Sequence, residues 1–327
     1  MPTRYQYEMI LPRRNYDYDV MGAVTKCTLS EKEGQLAQTL SFDAVNIVHS
    51  GTELLSLFGP DNPVRLLADD GESSGEVFQG EIWNQTYNEE KKTISYTCYD
   101  PLIYLQKSSD ALFFPAGRST LSILQEICGK WDVPLDYSYE SASMEKKAFS
   151  NTRLSDMILE ILEDTKRKTG KPYQIRFQGG KLLISGRGVN TTRYELAIGK
   201  NLTSVQHTIS KENLITQIII TGKASENGGV PVEAVLTAST AGQRGTLQSV
   251  RSRSGDTSLA EAKKEAQEEL DEHKNPEHTY SLSAPDYPFL RKGDSIQVNT
   301  GSFSGVYYVK SITHELTSHT MNLEIEP

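Results

Sequence analysis

No run in these 327 residues approaches the ~20 apolar positions that a membrane-spanning helix requires. The N-terminus, Met1-Pro2-Thr3-Arg4-Tyr5-Gln6-Tyr7-Glu8, lacks the apolar core of a signal peptide, so Sec-type export is not expected. Cysteine is scarce: Cys27, Cys98 and Cys128 are odd in number and far apart, with neither a CxxC pair nor a disulfide framework, and they read as buried thiols in a reducing cytosol. Positive charge is also short, since 34 Lys and Arg face 43 Asp and Glu for a formal net charge of −9. Phosphate contacts need clustered Lys and Arg, which argues against a non-specific nucleic-acid binder. The small cluster Lys166-Arg167-Lys168 falls at the end of an expected helix, where it complements the helix dipole.

Catalytic patterns are missing as well. The six histidines, His49, His207, His273, His278, His314 and His319, include no pair at the i, i+4 spacing of a helical zinc site. There is no GxSxG elbow and no GxxxxGK phosphate cradle; Gly179-Gly180-Lys181 is better explained as a hairpin turn. The carboxylate pairs Asp69-Asp70, Glu89-Glu90 and Glu163-Asp164 fall in turns or on a polar helix face, where neither member would sit in the apolar pocket a glycosidase acid needs. Asp69-Asp70-Gly71-Glu72 lacks the remaining ligands of a calcium loop. Trp83 and Trp131 lie in apolar patterns, so core packing is expected for both rather than sugar stacking. No catalytic, cofactor-binding or metal residue is singled out, and an enzyme is not expected.

What the chain does have is alternation. Its end, Ser295 to Val298, Val306 to Ile312 and Met321 to Ile325, reads as a three-strand antiparallel meander broken by Gly, Asn and Ser. Because the sequence ends inside that sheet, no catalytic tail is expected after it. Residues 1–105 form an N-terminal β-domain, with strands at Val24 to Ser30, Gln38 to Ala44, Val64 to Ala68, Glu76 to Thr86 and Thr93 to Tyr99. Within it, Leu54, Leu55, Leu57 and Phe58 crowd into a short helical or irregular loop across a sheet edge.

Residues 106–188 form an α+β middle domain. One amphipathic helix covers Thr120 to Cys128, capped by Ser119 or Thr120 at its start and Gly129 at its end. A second covers Asp156 to Thr169, with Ser155 as N-cap and Gly170 as its stop, and a hairpin follows around Gly179-Gly180. Residues 189–327 return to β, with burial on both faces expected at Ile218-Ile219-Ile220. Ser225 to Ser254 is expected to be a long exposed hairpin or mobile loop. The helix Ser258 to His273 opens with a capping box and carries a narrow seam, Leu259, Ala262, Ala266 and Leu270, suited to covering a sheet edge or another subunit. Finally, the hairpin Val77 to Tyr99 echoes Val306 to Ile325. Lys92-Thr93-Ile94 and His319-Thr320-Met321 stand where each returning strand starts, though identity is too low for a sequence repeat.

The order of these parts carries a resemblance. Asp156 to Leu162, Thr169-Gly170-Lys171-Pro172-Tyr173, Leu290-Arg291-Lys292-Gly293-Asp294, Gly305 to Val309 and Ile312-Thr313-His314 together resemble the baseplate hub proteins of contractile phage tails and tail-like particles. Those are the XkdQ/YqbQ type, akin to the late control protein D tail hubs. The resemblance implies a mostly β, α+β fold, with two tube-like β-barrel domains flanking the α+β insert. It implies a homotrimer whose six barrels make a pseudo-sixfold ring between a sixfold tail tube, or its initiator, and a threefold central spike. Other baseplate proteins would surround it. Such a protein would be made in the bacterial host cytoplasm and end in the baseplate of a virion or tail-like bacteriocin. It needs no cofactor, membrane or sequence-specific nucleic acid, although DNA can pass through the ring. Leu54, Leu55, Leu57, Phe58, Leu259, Ala262, Ala266, Leu270 and the edges of the two long hairpins are the expected subunit or partner interface. A tail-associated peptidoglycan hydrolase and a carbohydrate- or receptor-binding tail protein are the alternatives; the first requires a catalytic pair that the sequence does not present.

Overall fold

The computed structural model describes residues 6–13, 16–49, 51–223, 229–253 and 257–327. The chain opens with β1 (Gln6–Arg13), β2 (Tyr16–Asp19), a 3-10 turn at Met21–Ala23, β3 (Val24–Glu31) and β4 (Thr39–Val45). A two-strand ladder, β5 (Val48–His49) with β6 (Thr52–Glu53), and the single turn α1 (Leu54–Leu57) precede β7 (Pro63–Asp69), β8 (Ser74–Asn88) and β9 (Thr93–Tyr99). The middle holds α2 (Ile103–Lys107), β10 (Ser109–Phe114), α3 (Thr120–Lys130), β11 (Leu135–Ser138), β12 (Lys147–Arg153), α4 (Leu154–Thr169), β13 (Tyr173–Gln178) and β14 (Lys181–Gly186). Next come β15 (Tyr194–Ala197), β16 (Ser204–Ser210), β17 (Gln217–Thr221), β18 (Val232–Thr237), α5 (Ala241–Arg244), β19 (Gln248–Ser252) and α6 (Leu259–His273). The chain closes with β20 (Glu277–Pro285), β21 (Ser295–Asn299), β22 (Ser304–Glu315) and β23 (Thr320–Glu326). The fold is α+β and mostly β, as expected. Two compact units result, one of residues 1–205 and 281–327, the other of residues 206–280.

Strands from both ends of the sequence share one 13-stranded sheet, ordered β16-β20-β23-β22-β3-β4-β9-β8-β7-β1-β2, with β21 beside β22 and β15 beside β21. This order contains the same pattern twice. Taken along the chain, β1, β3, β4, β7, β8, β9 and β15, β16, β20, β21, β22, β23 are two sets of six. In each set the second strand pairs the third, the third the sixth, the sixth the fifth, the fifth the fourth and the fourth the first. The last strand pair of each set differs in sense: β1 runs antiparallel to β7, whereas β15 runs parallel to β21.

The hairpin echo seen in the sequence is therefore real at the level of register. Asn88 pairs Thr93 across the loop Glu89–Lys92, and Glu315 pairs Thr320 across Leu316–His319. The residues before the returning strands, Lys92 and His319, both adopt the left-handed region, with φ of 53° and 52°. Each ladder then runs through the same number of pairs to Asn84↔Thr97 and Ser311↔Glu324. There Trp83 and Lys310 are bulged out before pairing resumes at Ile82↔Cys98 and Val309↔Ile325. Neighbouring hydrogen bonds repeat too. Ser95 Oγ donates to Asp43 Oδ1 (2.6 Å) and Ser283 Oγ to Asn322 Oδ1 (2.7 Å); the Asn46 N–H reaches Lys92 O (2.9 Å) and the Asp286 N–H reaches His319 O (3.0 Å).

Local chemistry accounts for the middle section. Ser119 accepts from the Ser122 N–H, as a helix N-cap should, while α3 runs past Gly129 to Lys130. The α4 helix starts at Leu154 behind Arg153, so Ser155 lies inside it rather than capping it, and Gly170 ends it with φ 71°. Gly179 and Gly180, at φ 58° and 77°, make the tight turn between β13 and β14. Ile123, Leu124, Ile127, Leu154, Ile158 and Ile161 are fully buried in one apolar cluster with the β13–β14 hairpin. Trp131 is 38% exposed at the end of α3 instead of in the core. The three cysteines are free and buried.

In the second unit β17 is central, with β18 antiparallel on one side and β19 parallel on the other. The expected long hairpin is thus split, because its two strands pair β17 and not each other; Ser225–Gly228 and Ser254–Asp256 lie outside the described residues. Ile218 and Ile220 are buried against Ala262, Ala266 and Leu270 of α6, whereas Ile219 is half-buried, so one face of β17 is covered rather than both. Ser258 caps α6 by accepting from the Glu261 N–H.

Candidate assembly site

The sequence Leu290-Arg291-Lys292-Gly293-Asp294 forms a polar knot where three parts of the larger unit meet. Arg291 grips Glu31, the last residue of β3, with Nε 2.5 Å from Oε1 and Nη2 3.2 Å from Oε2. Asp294, 2% exposed, accepts from Arg176 of β13 (Nη2, 2.6 Å) and from the Arg291 N–H (2.8 Å). Arg176 also donates to the Lys292 carbonyl oxygen (2.8 Å), and Lys292 Nζ reaches the carbonyls of Lys32 (3.1 Å) and Gln35 (2.6 Å) in the β3–β4 turn. Gly293 has φ 88°, and a Cβ there would lie 2.5 Å from Gln174 Oε1 and 2.6 Å from Gln174 Cβ. The turn needs glycine for both reasons. Glu31 and Asp294 are each paired with an arginine where they are buried, the arrangement in which an ion pair is costly to break, and Lys292 is held by carbonyl oxygens.

These groups perturb one another. Burial alone would push the Glu31 carboxyl up, but the Arg291 charge and hydrogen bonds, helped by Lys292 and Arg176, outweigh it and hold it at about 2. Asp100 is pushed up to about 7 by burial, against the opposing N–H groups of Gln38 and Leu102 and the Arg291 charge. Burial lowers Lys292.

A second buried set fastens the segment before the knot. His314 Nδ1 lies 2.6 Å from Asp286 Oδ1 and its Nε2 3.1 Å from the Leu290 carbonyl oxygen, and the Tyr7 hydroxyl donates to Asp286 Oδ2. A His–Asp pair suits nucleophilic catalysis only beside a Ser, Cys or Thr aimed at a cleft; here the hydroxyl is a tyrosine, and Asp286 and His314 are 0% and 2% exposed. No group of three or more His, Cys, Asp or Glu positioned for a metal occurs among the described residues.

The structure scatters the apolar residues expected at an interface into two cores. Leu54, Leu57 and Phe58 are buried, and Leu55 half-buried, among Phe78, Tyr96 and Ile82 of the N-terminal strands. Ala262, Ala266 and Leu270 are buried on β17, with Leu259 partly buried beside them. Those side chains are covered within the chain, because the loop folds inward and the narrow seam matches a three-stranded sheet. Small residues one turn apart, Ala262 and Ala266, let α6 lie close to that sheet.

The hairpin edges do meet a partner, inside the molecule. Ile312, Thr313, His314 and Glu315 of β22 pair Glu31, Ser30, Leu29 and Thr28 of β3, and the Leu316 N–H bonds the Cys27 carbonyl (2.9 Å). This ladder joins the second six-strand set to the first. Sequence alone offered no signal for it, since the paired strands lie almost at opposite ends of the chain.

Comparison with known proteins places this architecture. The fold is shared with a tail protein from Neisseria meningitidis MC58, at TM-score 0.68 and 12% identity over 99% of this chain and 96% of that one. A prophage MuSo2 tail protein of 43 kDa from Shewanella oneidensis superposes with TM-score 0.68 at 12% identity, covering 98% of both chains. In sequence, the phage-like element PBSX protein XkdQ of Bacillus subtilis (strain 168) is 24% identical over 257 residues, 76% of this chain and 78% of that protein. The YQBQ-like family model matches residues 27–326, and the chain belongs to that family.

Proposed function

We propose that this protein is a structural hub of a contractile phage tail or tail-like bacteriocin particle, acting without catalysis. The observation that carries the reading is the duplication: two six-strand sets of identical strand order, joined edge to edge through β22 and β3. Three copies would place six equivalent sets around an axis. Such a ring presents sixfold contacts to a tail tube and threefold contacts to a spike, the adaptation that a symmetry mismatch requires. The family membership and the fold shared with two phage tail proteins support it. The buried Glu31–Arg291 and Asp294–Arg176 pairs of the knot support a mechanical role, since they brace strands rather than face a substrate.

The homotrimer, the tube and spike partners, synthesis in the host cytoplasm and residence in the baseplate follow from this reading. Multi-angle light scattering of the purified chain, alone and co-expressed with its genomic neighbours, tests it. A mass of three copies together with co-purification of a spike protein is expected. A monomer under all of these conditions, or clear lysis in a peptidoglycan zymogram, would sink it.

A further inference from the structure

The duplication leaves one half of a junction unused at each end. In the joined pair, the outer edge of Ile312–Glu315 on β22 receives Thr28–Glu31 of β3. The matching stretch of β8, by loop, left-handed residue and bulge, is Gln85–Asn88. It pairs β9 on one side, while β7 reaches only to Glu81; among the described residues no strand occupies its other edge. The strand matching β3 is β16, which ends the sheet order. Its alignment is fixed by a repeated bond: Thr25 Oγ1 donates to the Asp43 carbonyl (3.2 Å), and Thr203 Oγ1 to the Ser283 carbonyl (3.0 Å). Thr28–Glu31 therefore corresponds to Gln206–Ile209.

We infer that copies of this chain join by antiparallel pairing of Gln85–Asn88 on one copy with Gln206–Ile209 on the next. The register follows the internal junction: Gln85 opposite Ile209, Thr86 opposite Thr208, Tyr87 opposite His207 and Asn88 opposite Gln206. The Glu89 N–H would then bond the Val205 carbonyl, as the Leu316 N–H bonds that of Cys27. The inference rests on the proposed ring for the number of copies, and on strand geometry for the contact.

Two further observations favour a second copy as the occupant. An exposed strand edge is normally blunted by charge, proline or a bulge, because its open N–H and C=O groups recruit other strands. None of the eight residues named is charged or proline, and Ile209 is left 59% exposed. The far end of the sheet, β2, carries the exposed charge of Asp17. Protection is thus absent where the duplication calls for a neighbour and present where it does not.

Cysteine cross-linking of the full chain tests the register, since the three native thiols are buried. In an antiparallel ladder, directly opposed Cβ atoms lie about 4.5–5.5 Å apart, and a two-residue slip carries them to roughly 7–8 Å. Oxidised T86C/T208C protein is expected to show covalent multimers ending at three copies on a non-reducing gel. T86C/Q206C should link at least several-fold less. Three-copy particles by light scattering without a T86C/T208C ladder would overturn the strand pairing and leave the hub reading intact. Ladders running past three copies would keep the pairing and refute the ring. Monomers throughout would refute both.

Discussion

Replacing Arg291 by Met should reverse the pH dependence contributed by Glu31. In the native protein that carboxyl is held at about 2, below its ordinary 4.5, by the Arg291 charge acting against burial. Its stabilising contribution is then complete above about pH 4.5 and lost as pH falls towards 2. Without the guanidinium, burial is the largest influence left, because Glu31 is 4% exposed, and it pushes the carboxyl above 4.5. A raised carboxyl contributes stability below pH 4.5 and loses it as pH rises. The gap between variant and parent should therefore be widest at pH 7 and narrow steadily as pH falls through 4 towards 2.

At pH 7 the loss should be about 3–5 kcal/mol, the usual result of stranding one member of a buried pair. E31Q/R291M removes both charges, so its loss should fall short of the summed single losses by at least about 2 kcal/mol. Urea unfolding followed by tryptophan fluorescence is the assay, because Trp83 and Trp131 both lie in the unit that holds the pair. Additive single losses, or an R291M curve parallel to the parent's between pH 4 and 7, would refute the reasoning.

Three other perturbations follow from the same structure. Gly293→Ala combines φ 88° with a collision against Gln174, and urea titration should show a loss of roughly 1–3 kcal/mol; an unchanged midpoint would mean the turn is slack. Asp100→Asn removes a carboxyl raised from 3.8 to about 7, whose stabilising contribution is present below pH 3.8 and lost as pH rises through 7. Relative to the parent, this variant should therefore gain stability as pH rises from about 3.8 through 7, by roughly 3–4 kcal/mol in all; a pH-independent difference would disprove it. Leu270→Ala should cost about 2–5 kcal/mol in the smaller unit, read by circular dichroism, while the mass of the assembled particle stays the same. Loss of assembly with unchanged stability would return the α6 seam to the interface.

Strand and helix positions were legible because they rest on local chemistry: alternation, Ser119 and Ser258 as caps, Gly170 and Gly179-Gly180 at left-handed positions. The knot was visible only as a string of residues. Arg291 and Asp294 find their partners at Glu31 and Arg176, more than a hundred residues away, and no periodicity encodes such pairs. The direction taken by the apolar cluster Leu54 to Phe58 was hidden for a related reason. A dense apolar loop looks the same in sequence whether it turns inward or outward, and here it turns onto Phe78 and Tyr96.

The echo between the two hairpins was faint in sequence because backbone geometry is what repeats, while each copy's side chains answer to different neighbours. The bulged position shows this most plainly. Trp83 packs edge-on against Tyr99 and Tyr104 and donates to Glu81, bracing β8 against the middle section's core. Lys310, at the same bulge of β22, reaches Glu33 in the β3–β4 turn, 2.9 Å away. Inside the sets, Tyr87 stands where His314 stands, and Asn46 where Asp286 stands, so the buried His–Asp pair exists in one set alone. What both sets keep is the four-residue loop, the left-handed residue and the bulge five pairs on. Those features set the register in which each hairpin offers its edge, and the proposed ring of unequal halves needs that register to be common to both.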